Sequence, residues 1–167
     1  MNNNETQFTE KQRFTQWWLW IILLGTNGGI LYGVIQQVIF GKQFGDNPAS
    51  DAGLLLIFAL VVLISIFFVS LRLETVIKQD GIYVRYYPVH FSFRYYPWED
   101  IQKAYVRKYK PIIEYGGWGF RGFGKNRALN VSGNQGLQLE FRNYKRLLIG
   151  TRKPGEIIEA LHKKGLK

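Results

Sequence analysis

The sequence contains no cysteine, and its only histidines are His90 and His162. The lack of cysteine excludes disulfide bonds, thiol nucleophiles and cysteine-ligated metals. Two histidines that lie far apart in sequence give a poor basis for a zinc or iron centre, because such centres draw most of their ligands from histidine and cysteine. We therefore expect no metal and no other cofactor.

Acidic residues are scarce in the second part of the chain. Residues 1–73 hold four Lys or Arg and four Asp or Glu, whereas residues 74–167 hold eighteen Lys or Arg and eight Asp or Glu. The formal net charge of +10 therefore belongs to the C-terminal part. A basic domain favours anionic lipid headgroups, acidic proteins or nucleic acid as partners. A solvated basic surface without a dedicated partner is the alternative.

Two segments of the first 73 residues carry no charge at all. These are residues 17–40 and residues 54–71. Each is close to the length of about 20 apolar residues that a bilayer-spanning helix needs. A soluble protein that buried both would have to be far larger. No A-x-A-like cleavage site follows the first segment, so we expect a span there and not a signal peptide.

The link between the two segments, residues 41–53, is rich in Gly, Pro, Asn and Asp, so the spans are predicted to form a hairpin. The Lys and Arg residues near the spans are Lys11 and Arg13 before the first, Lys42 in the link, and Arg72, Lys78 and Arg85 after the second. This bias predicts an inner (plasma) membrane protein with both termini in the cytoplasm. Residues 1–16 are then a cytoplasmic tail, and residues 17–72 are the transmembrane hairpin.

Three glycines recur at every fourth position of the first predicted span. Gly25, Gly29 and Gly33 form a double G-x-x-x-G on one helical face. Small residues at this spacing let two helix backbones approach closely. The second span is the predicted partner of this face. A neighbouring copy of the chain, which would give a homo-oligomer, and glycines without a packing role are the alternatives.

The rest of the chain changes to short segments in which apolar and polar residues alternate. The alternation predicts strands in LETVIKQDGIYVRYYPV, EDIQKAYVRKYK and LQLEF, and Asp80-Gly81 predicts a hairpin turn. The segment KPGEIIEALHKKG predicts one helix, with Pro154 in its first turn. Strands at intervals of about 8–12 residues, followed by a helix, predict a small mainly-β barrel or sandwich.

Several sequence segments of this region resemble those of a known protein family. VIKQDGIYVRYYP, YPWEDIQKAYVRKYKP and RLLIGTRKPGEIIEAL resemble a bacterial family of two-span membrane proteins that carry a pleckstrin-homology-like (PH-like) domain of unknown function. The resemblance implies a two-helix transmembrane hairpin followed by a mainly-β PH-like barrel of about seven strands with one C-terminal helix. It places a cytoplasmic PH-like domain at residues 73–167 and implies no catalytic activity.

Gly117, Gly119 and Gly122 match G-x-G-x-x-G, the pattern of a dinucleotide-binding loop. That loop works only where a strand ends at the glycines and a helix begins there to hold the pyrophosphate. The residues after Gly122 contain too many Gly, Ser and Asn for a crossover helix, and residues 127–131 read as a strand. We therefore do not expect nucleotide binding.

The same glycine-rich loop is predicted to carry the contact surface of the domain. The candidate partner-binding residues are Glu114, Trp118, Arg121, Lys125 and Arg127. Aromatic and cationic side chains of this kind suit anionic headgroups or a protein partner. Glu114 is predicted to organise the others through a salt bridge to Arg121 or Arg127. The alternative is a hairpin whose aromatic residues pack on the barrel.

These features together predict a membrane-anchored binding or scaffolding module that contacts a protein partner or anionic lipid headgroups, with no enzymatic activity. Nucleic acid is not an expected partner, because the interleaved basic and aromatic residues lie on strands and face opposite sides. A structural or regulatory subunit of a larger membrane complex is the alternative. A further alternative is an enzyme centred on Glu114 and the glycine loop 116–124, which would need a nucleophile–base pair or paired carboxylates.

Overall fold

A computed structural model of the chain describes residues 5–122 and 124–165. The chain divides into two units. One comprises Met1–Phe14 together with Leu71–Lys167, and the other is Thr15–Ser70. The helical unit is therefore inserted into the sequence of the other unit, which begins before it and continues after it.

The helical unit contains two long apolar helices. Helix α1 spans Trp17–Val34 and continues as a π-helical segment over Ile35–Ile39, and helix α2 spans Asp51–Ser70. Both are long and apolar enough to cross a membrane by length and composition. Helix α2 begins earlier than the predicted span because Ser50 caps it, with its Oγ accepting a hydrogen bond from the backbone N–H of Gly53 at 3.2 Å.

A polar contact joins the two helices. The Asn27 Nδ2 atom donates to Ser65 Oγ at 2.7 Å, and Ser65 donates to the carbonyl of Val61 at 2.9 Å. At Gly33, one of the three glycines on the predicted packing face of α1, the neighbour is the link and not α2. A Cβ atom at Gly33 would lie 2.6 Å from the ring of Phe44 in the link, so this glycine allows the link to pack on α1.

Gly25 and Gly29 are exposed on α1. A Cβ atom at either glycine would meet no described atom within 4 Å outside the local backbone of α1. The structure therefore gives no close approach of α2 at these two positions, and their role in helix packing stays a prediction. The homo-oligomer that the same glycines suggest stays a prediction.

The first sheet of the other unit has four antiparallel strands in the order β1-β2-β3-β4. They are β1 (Thr6–Arg13), β2 (Arg72–Lys78), β3 (Gly81–Tyr87) and β4 (Arg94–Pro97). The predicted Asp80-Gly81 turn is confirmed between β2 and β3. Strand β1 corrects the predicted tail of residues 1–16, since residues 6–13 pair with β2 along its whole length.

The pattern of β1 explains both its pairing and why the sequence concealed it. Phe8, Glu10 and Gln12 alternate on the buried face, but two of these three residues are polar. Gln12 Nε2 donates to the carbonyl of Gly150 at 2.7 Å, and the Glu10 carboxylate accepts from the Thr151 hydroxyl at 2.6 Å. Hydrogen bonds therefore hold this strand against the second sheet where apolar contacts would be expected.

The second sheet has five strands in the order β5-β8-β9-β7-β6. Among the described residues, β7 and β9 form its one parallel pair. The strands are β5 (Ile101–Lys108), β6 (Gly119–Arg121), β7 (Asn126–Asn130), β8 (Gln135–Phe141) and β9 (Arg146–Gly150). Two further helices are α3 (Pro111–Tyr115) and the predicted C-terminal helix, α4 (Pro154–Lys163).

The core lies between the inward faces of the two sheets and α4. Leu73, Ile82, Leu137 and Ile149 are fully buried, and Ile157 joins them from α4. Full burial of such a side chain contributes about 1.5–3 kcal/mol. The described strands number nine, against about seven predicted, because β1 and the short β6 were not foreseen. They form two separate sheets and not a closed barrel.

Candidate functional site

A cleft of about 470 Å³ lies between the edge strand β4 of the first sheet and strands β7 and β9 of the second. Five of its lining residues are basic, and among the described lining residues none is Asp or Glu. The five basic residues, called the basic cleft below, are Arg94, Lys125, Arg127, Lys145 and Arg146. Tyr95, Tyr96 and Phe141 supply an aromatic wall.

Four separate segments bring these side chains together. Arg94 opens β4, and Lys125 ends the loop before β7. The parallel register pairs Asn126 of β7 with Arg146 of β9 and Arg127 with Leu147, so Arg127 and Arg146 lie in adjacent rows of neighbouring strands. The backbone N–H of Arg146 donates to the carbonyl of Lys125 at 2.6 Å, and this bond ties the loop to β9.

Most of these charges lack a counter-ion in the described part of the chain. Arg94, Lys125, Arg127 and Lys145 form no ion pair there, and Arg146 approaches Glu140 only at 3.8 Å with 62% of its side chain exposed. Clustered charge of one sign attracts counter-ions of the other sign. The basic cleft is therefore suited to holding an anion, and its described lining offers no carboxylate for acid–base chemistry.

The aromatic wall is ordered by ring contacts. The rings of Tyr96 and Phe141 lie 5.4 Å apart between centroids, one from each sheet. Such pairs add modest stability beyond the area that they bury. They also give the cleft an apolar side next to its cations, which suits a ligand that has both a charged group and a carbon skeleton.

The structure brings only two of the predicted site residues into this cleft, Lys125 and Arg127. Trp118 and Arg121 lie on the β6 hairpin and contact the protein itself. Trp118 Nε1 donates to the carbonyl of Gly133 at 2.9 Å, and Arg121 Nε donates to the carbonyl of Trp118 at 3.0 Å. The five predicted residues therefore do not form one surface.

Glu114 has a different partner from the one predicted. Its carboxylate pairs with the Arg107 guanidinium at 2.7 Å and accepts from the backbone N–H of Lys110 at 2.7 Å. The short helix α3 follows β5, and its Glu114 reaches Arg107 on that strand. The hydrogen bond from Arg107, followed by that from Lys110, holds the pKa of Glu114 below its usual range.

The glycines of the G-x-G-x-x-G segment serve a turn. Gly117, Gly119 and Gly122 all have positive φ, at 119°, 127° and 81°. The chain passes from them through β6 into β7, where a dinucleotide site would begin a helix. In the described ranges no group of three or more His, Asp or Glu side chains could hold a metal ion.

His90 is a buried histidine close to two arginines of the basic cleft, Arg94 and Arg127. It is 7% exposed, its ring meets Phe120 edge-on at 5.4 Å, and neither ring nitrogen has a hydrogen-bond partner among the described residues. Burial, and then the guanidinium groups of Arg94 and Arg127, lower its pKa below 6.5. Burial and the two nearby guanidinium groups therefore favour the neutral form of His90.

We predict that His90 makes the domain less stable in mild acid. The unfolded chain binds a proton on this residue near pH 6.5, whereas folded His90 resists protonation. Stability then falls as pH drops from 7 towards the lowered pKa, with a slope of at most about 1.4 kcal/mol per pH unit. Urea unfolding between pH 7.5 and 5 would measure the slope. We expect His90→Gln to flatten it and the exposed His162→Gln to leave it unchanged, and equal slopes in all three proteins would contradict the prediction.

The remaining basic residues of the cleft escaped the sequence analysis. Arg94 sits in an aromatic strand, and Lys145 and Arg146 sit at a turn between strands, where basic residues are ordinary. The only signal was the clustering of cations with aromatic residues in FSFRYY and FRNYKR. That clustering does not reveal that the two segments face each other across two sheets.

The comparisons with known proteins concern nearly the whole chain. No curated protein matches it, and no solved structure matches it. One family model matches residues 1–164, which include strand β1, both apolar helices, the two sheets and helix α4. The chain therefore belongs to this family, which is described as a family of unknown function (DUF6141).

Proposed function

We propose that the chain is a membrane-anchored binding module whose basic cleft binds a phosphate-bearing group at the inner face of the bacterial plasma membrane. The observation that carries this proposal is the cleft itself, with five cations and no described acidic residue in its lining. Its volume of about 470 Å³ is in the range of small-ligand sites. We expect the module to act by binding and to have no catalytic activity.

The mixture of cations favours phosphate over a single carboxylate. Arg94, Arg127 and Arg146 each present a planar fork that can donate two parallel hydrogen bonds to phosphate oxygens. Lys125 and Lys145 add compact charges to the lining. A phosphorylated lipid headgroup presents this chemistry at the membrane, and a protein partner with an acidic segment is the second source that the proposal allows.

The strand pairing supports an anchor that crosses the membrane twice. Strand β1 precedes α1, strand β2 follows α2, and the two strands pair in one sheet. Both ends of the helical hairpin must then emerge on the same side of a bilayer. The excess of Lys and Arg outside the hairpin link favours the cytoplasmic side. Two sheets followed by one helix are also the element order from which we propose a PH-like domain.

A structural subunit of a larger membrane complex is the second candidate. The exposed positions Gly25 and Gly29 favour it, because their side of α1 is not covered by α2. Glycines spaced by four allow close approach of another helix. The two functions are compatible, since a subunit can also bind a ligand through its soluble part.

Charge reversal in the basic cleft tests the proposal. The full chain would be reconstituted in neutral nanodiscs and titrated with inorganic pyrophosphate, and separately placed in nanodiscs with increasing phosphatidylglycerol. We expect Arg127→Glu/Lys145→Glu to weaken pyrophosphate binding by roughly tenfold or more, because it replaces two attractive charges by two repulsive ones. Isothermal titration calorimetry would measure the affinity.

Lys163→Glu/Lys164→Glu is the matched control, since it makes the same change of net charge at two exposed residues at the end of α4 that do not line the cleft. It changes the net charge without touching the cleft. If this variant lost the same affinity for pyrophosphate, the effect would be due to overall charge, and a specific site would be contradicted. Pyrophosphate binding that survives in the double variant would also contradict the proposal.

A further inference from the structure

The loop between β3 and β4, residues 88–93, exposes a set of apolar side chains. Phe91 is 76% exposed, Val89 is 45% exposed and Phe93 is 40% exposed. His90 lies between the first two and points inward, with its backbone N–H donating to the carbonyl of Tyr86 at 2.7 Å. The loop therefore presents apolar groups to its surroundings while its buried histidine fixes it to the second sheet through Phe120.

The sheet register places this loop at the end of the sheet that leads to the helices. Arg13 of β1 pairs with Arg72 of β2, and Arg72 pairs with Tyr87 of β3, in the last row of the sheet before the loop. Helix α1 begins at Trp17, four residues after Arg13, and α2 ends at Ser70, two residues before Arg72. An extended chain covers about 3.5 Å per residue, so two residues reach about 7 Å.

Positive charge is concentrated at this end of the sheet. Arg13 and Arg72 lie directly opposite each other, an arrangement of like charges that weakens strand pairing unless an anion lies nearby. The guanidinium of Arg72 stacks on the Tyr87 ring at 4.4 Å, and that of Arg85 stacks on the Phe93 ring at 4.6 Å. These cation–π contacts therefore hold two guanidinium groups next to the apolar side chains of the loop.

One carboxylate, that of Glu74, forms ion pairs with several of these cations. Glu74 binds Arg72 at 3.2 Å and Lys11 at 3.4 Å, and it also pairs with Arg85. Lys11, Arg72 and Arg85 thus share a single acidic group, and Arg13 adds a fourth positive charge at this end of the sheet. An outside anion would be favourable there, since the remaining positive charge exceeds what Glu74 can balance.

We propose that this end of the sheet, the 88–93 loop with Arg13 and Arg72, docks into the headgroup layer of the same bilayer that α1 and α2 cross. The inference rests on the proposed membrane anchor. Phe91 and Val89 enter the interface, and Arg13 and Arg72 meet the phosphates of anionic lipids. A lipid surface is the occupant because the anchor brings the bilayer within two to four residues of this row.

Docking would also set the position of the basic cleft. Arg94 follows Phe93 directly in the chain and lines the cleft. A loop held in the headgroup layer therefore holds one wall of the cleft beside the phosphates of the membrane. The proposed lipid contact lies on the 88–93 loop and not on the glycine-rich loop 116–124 that the sequence had suggested, although the His90 ring contacts Phe120 of that segment.

The absence of cysteine makes the test direct, because one introduced cysteine carries one spin label. The full chain would be labelled at Ser92→Cys, which leaves both Val89 and Phe91 in place, and reconstituted in bilayers containing phosphatidylglycerol. Electron paramagnetic resonance would compare accessibility to oxygen, which concentrates in lipid, with accessibility to a water-soluble nickel chelate. Two reference labels are Leu60→Cys within α2 and Glu99→Cys.

The Glu99 label marks the other end of the first sheet. Its neighbour Trp98 donates from its backbone N–H to the carbonyl of Asp80, in the β2–β3 turn, at 3.4 Å. We expect the Ser92 label to be protected from nickel relative to the Glu99 label. Adding Phe91→Asp to the Ser92→Cys chain should remove that protection, because a charged side chain cannot stay in the interface without cost.

The outcomes separate the two proposals. A nickel-protected Leu60 label with a Ser92 label as accessible as Glu99 would overturn the docking of the loop and leave the anchor intact. Protection at Ser92 that persists with Phe91→Asp would overturn the role of the apolar side chains, and with it this proposal. A nickel-accessible Leu60 label would overturn the anchor itself and the docking that depends on it.

Discussion

Replacing Glu10 by alanine is expected to lower the free energy of unfolding of the sheet domain by about 3 kcal/mol. Glu10 is only 6% exposed, and its carboxylate accepts two hydrogen bonds from the turn after β9. One comes from the Thr151 hydroxyl at 2.6 Å and the other from the backbone N–H of Arg152 at 2.9 Å. Alanine removes both acceptors from a site that water hardly reaches, so the donors lose partners that they cannot replace.

Hydrogen–deuterium exchange of the full chain, read on β8 and β9, would measure this loss without interference from the tryptophans of α1. The control is Glu5→Ala, since Glu5 has the same chemistry but lies exposed just before β1. We expect a change of less than about 0.5 kcal/mol there, as for most surface substitutions. Similar effects of the two substitutions would show that β1 does not support the second sheet in the way that its contacts indicate.

Gly122→Ala is expected to have the second large effect, on both stability and ligand binding. Gly122 has φ of 81°, and a Cβ atom there would lie 2.2 Å from the carbonyl oxygen of Asn126 and 3.0 Å from the Cα of Arg127. Backbone atoms of a strand cannot move aside as a flexible side chain does. The loop must therefore open, and it would carry Lys125 and Arg127 out of the basic cleft.

Gly124→Ala provides the matched comparison in the same loop. Gly124 also has positive φ, at 62°, but a Cβ atom there would meet no described atom within 4 Å. Its cost is then the backbone strain alone, about 1–2 kcal/mol. We expect Gly122→Ala to cost about 3 kcal/mol or more by hydrogen exchange and to weaken pyrophosphate binding. Equal costs for the two substitutions would contradict the close approach at Gly122.

The sequence predicted those parts of the fold that are determined locally. The charge-free runs identified both apolar helices, Asp80-Gly81 identified the first hairpin, and Pro154 identified the start of α4. Each signal depends on neighbouring residues, such as a periodic pattern or a turn-forming pair. Such signals survive in the folded chain because they need no information about distant partners.

The parts that the sequence did not predict depend on contacts between distant segments. Strand β1 was missed because its buried positions Glu10 and Gln12 are polar, and because its partner β2 follows only after the whole hairpin. The basic cleft was missed in part because Arg94 and Arg146 come from different sheets. Alternation shows that strand residues face two sides, but it does not show which side faces another sheet.

The pairing of β1 with β2 has a consequence for how the chain is made. The ribosome synthesises β1 early, but residues 14–71 must follow before any of its partner strand exists. An unpaired strand with an apolar face would be prone to aggregate during this interval. Its sequence, TQFTEKQR, holds one large apolar residue, Phe8, among polar and charged ones. The polar residues that made this strand hard to predict also keep it soluble until β2 has been synthesised. The sheet can therefore be completed only after both helices have been made.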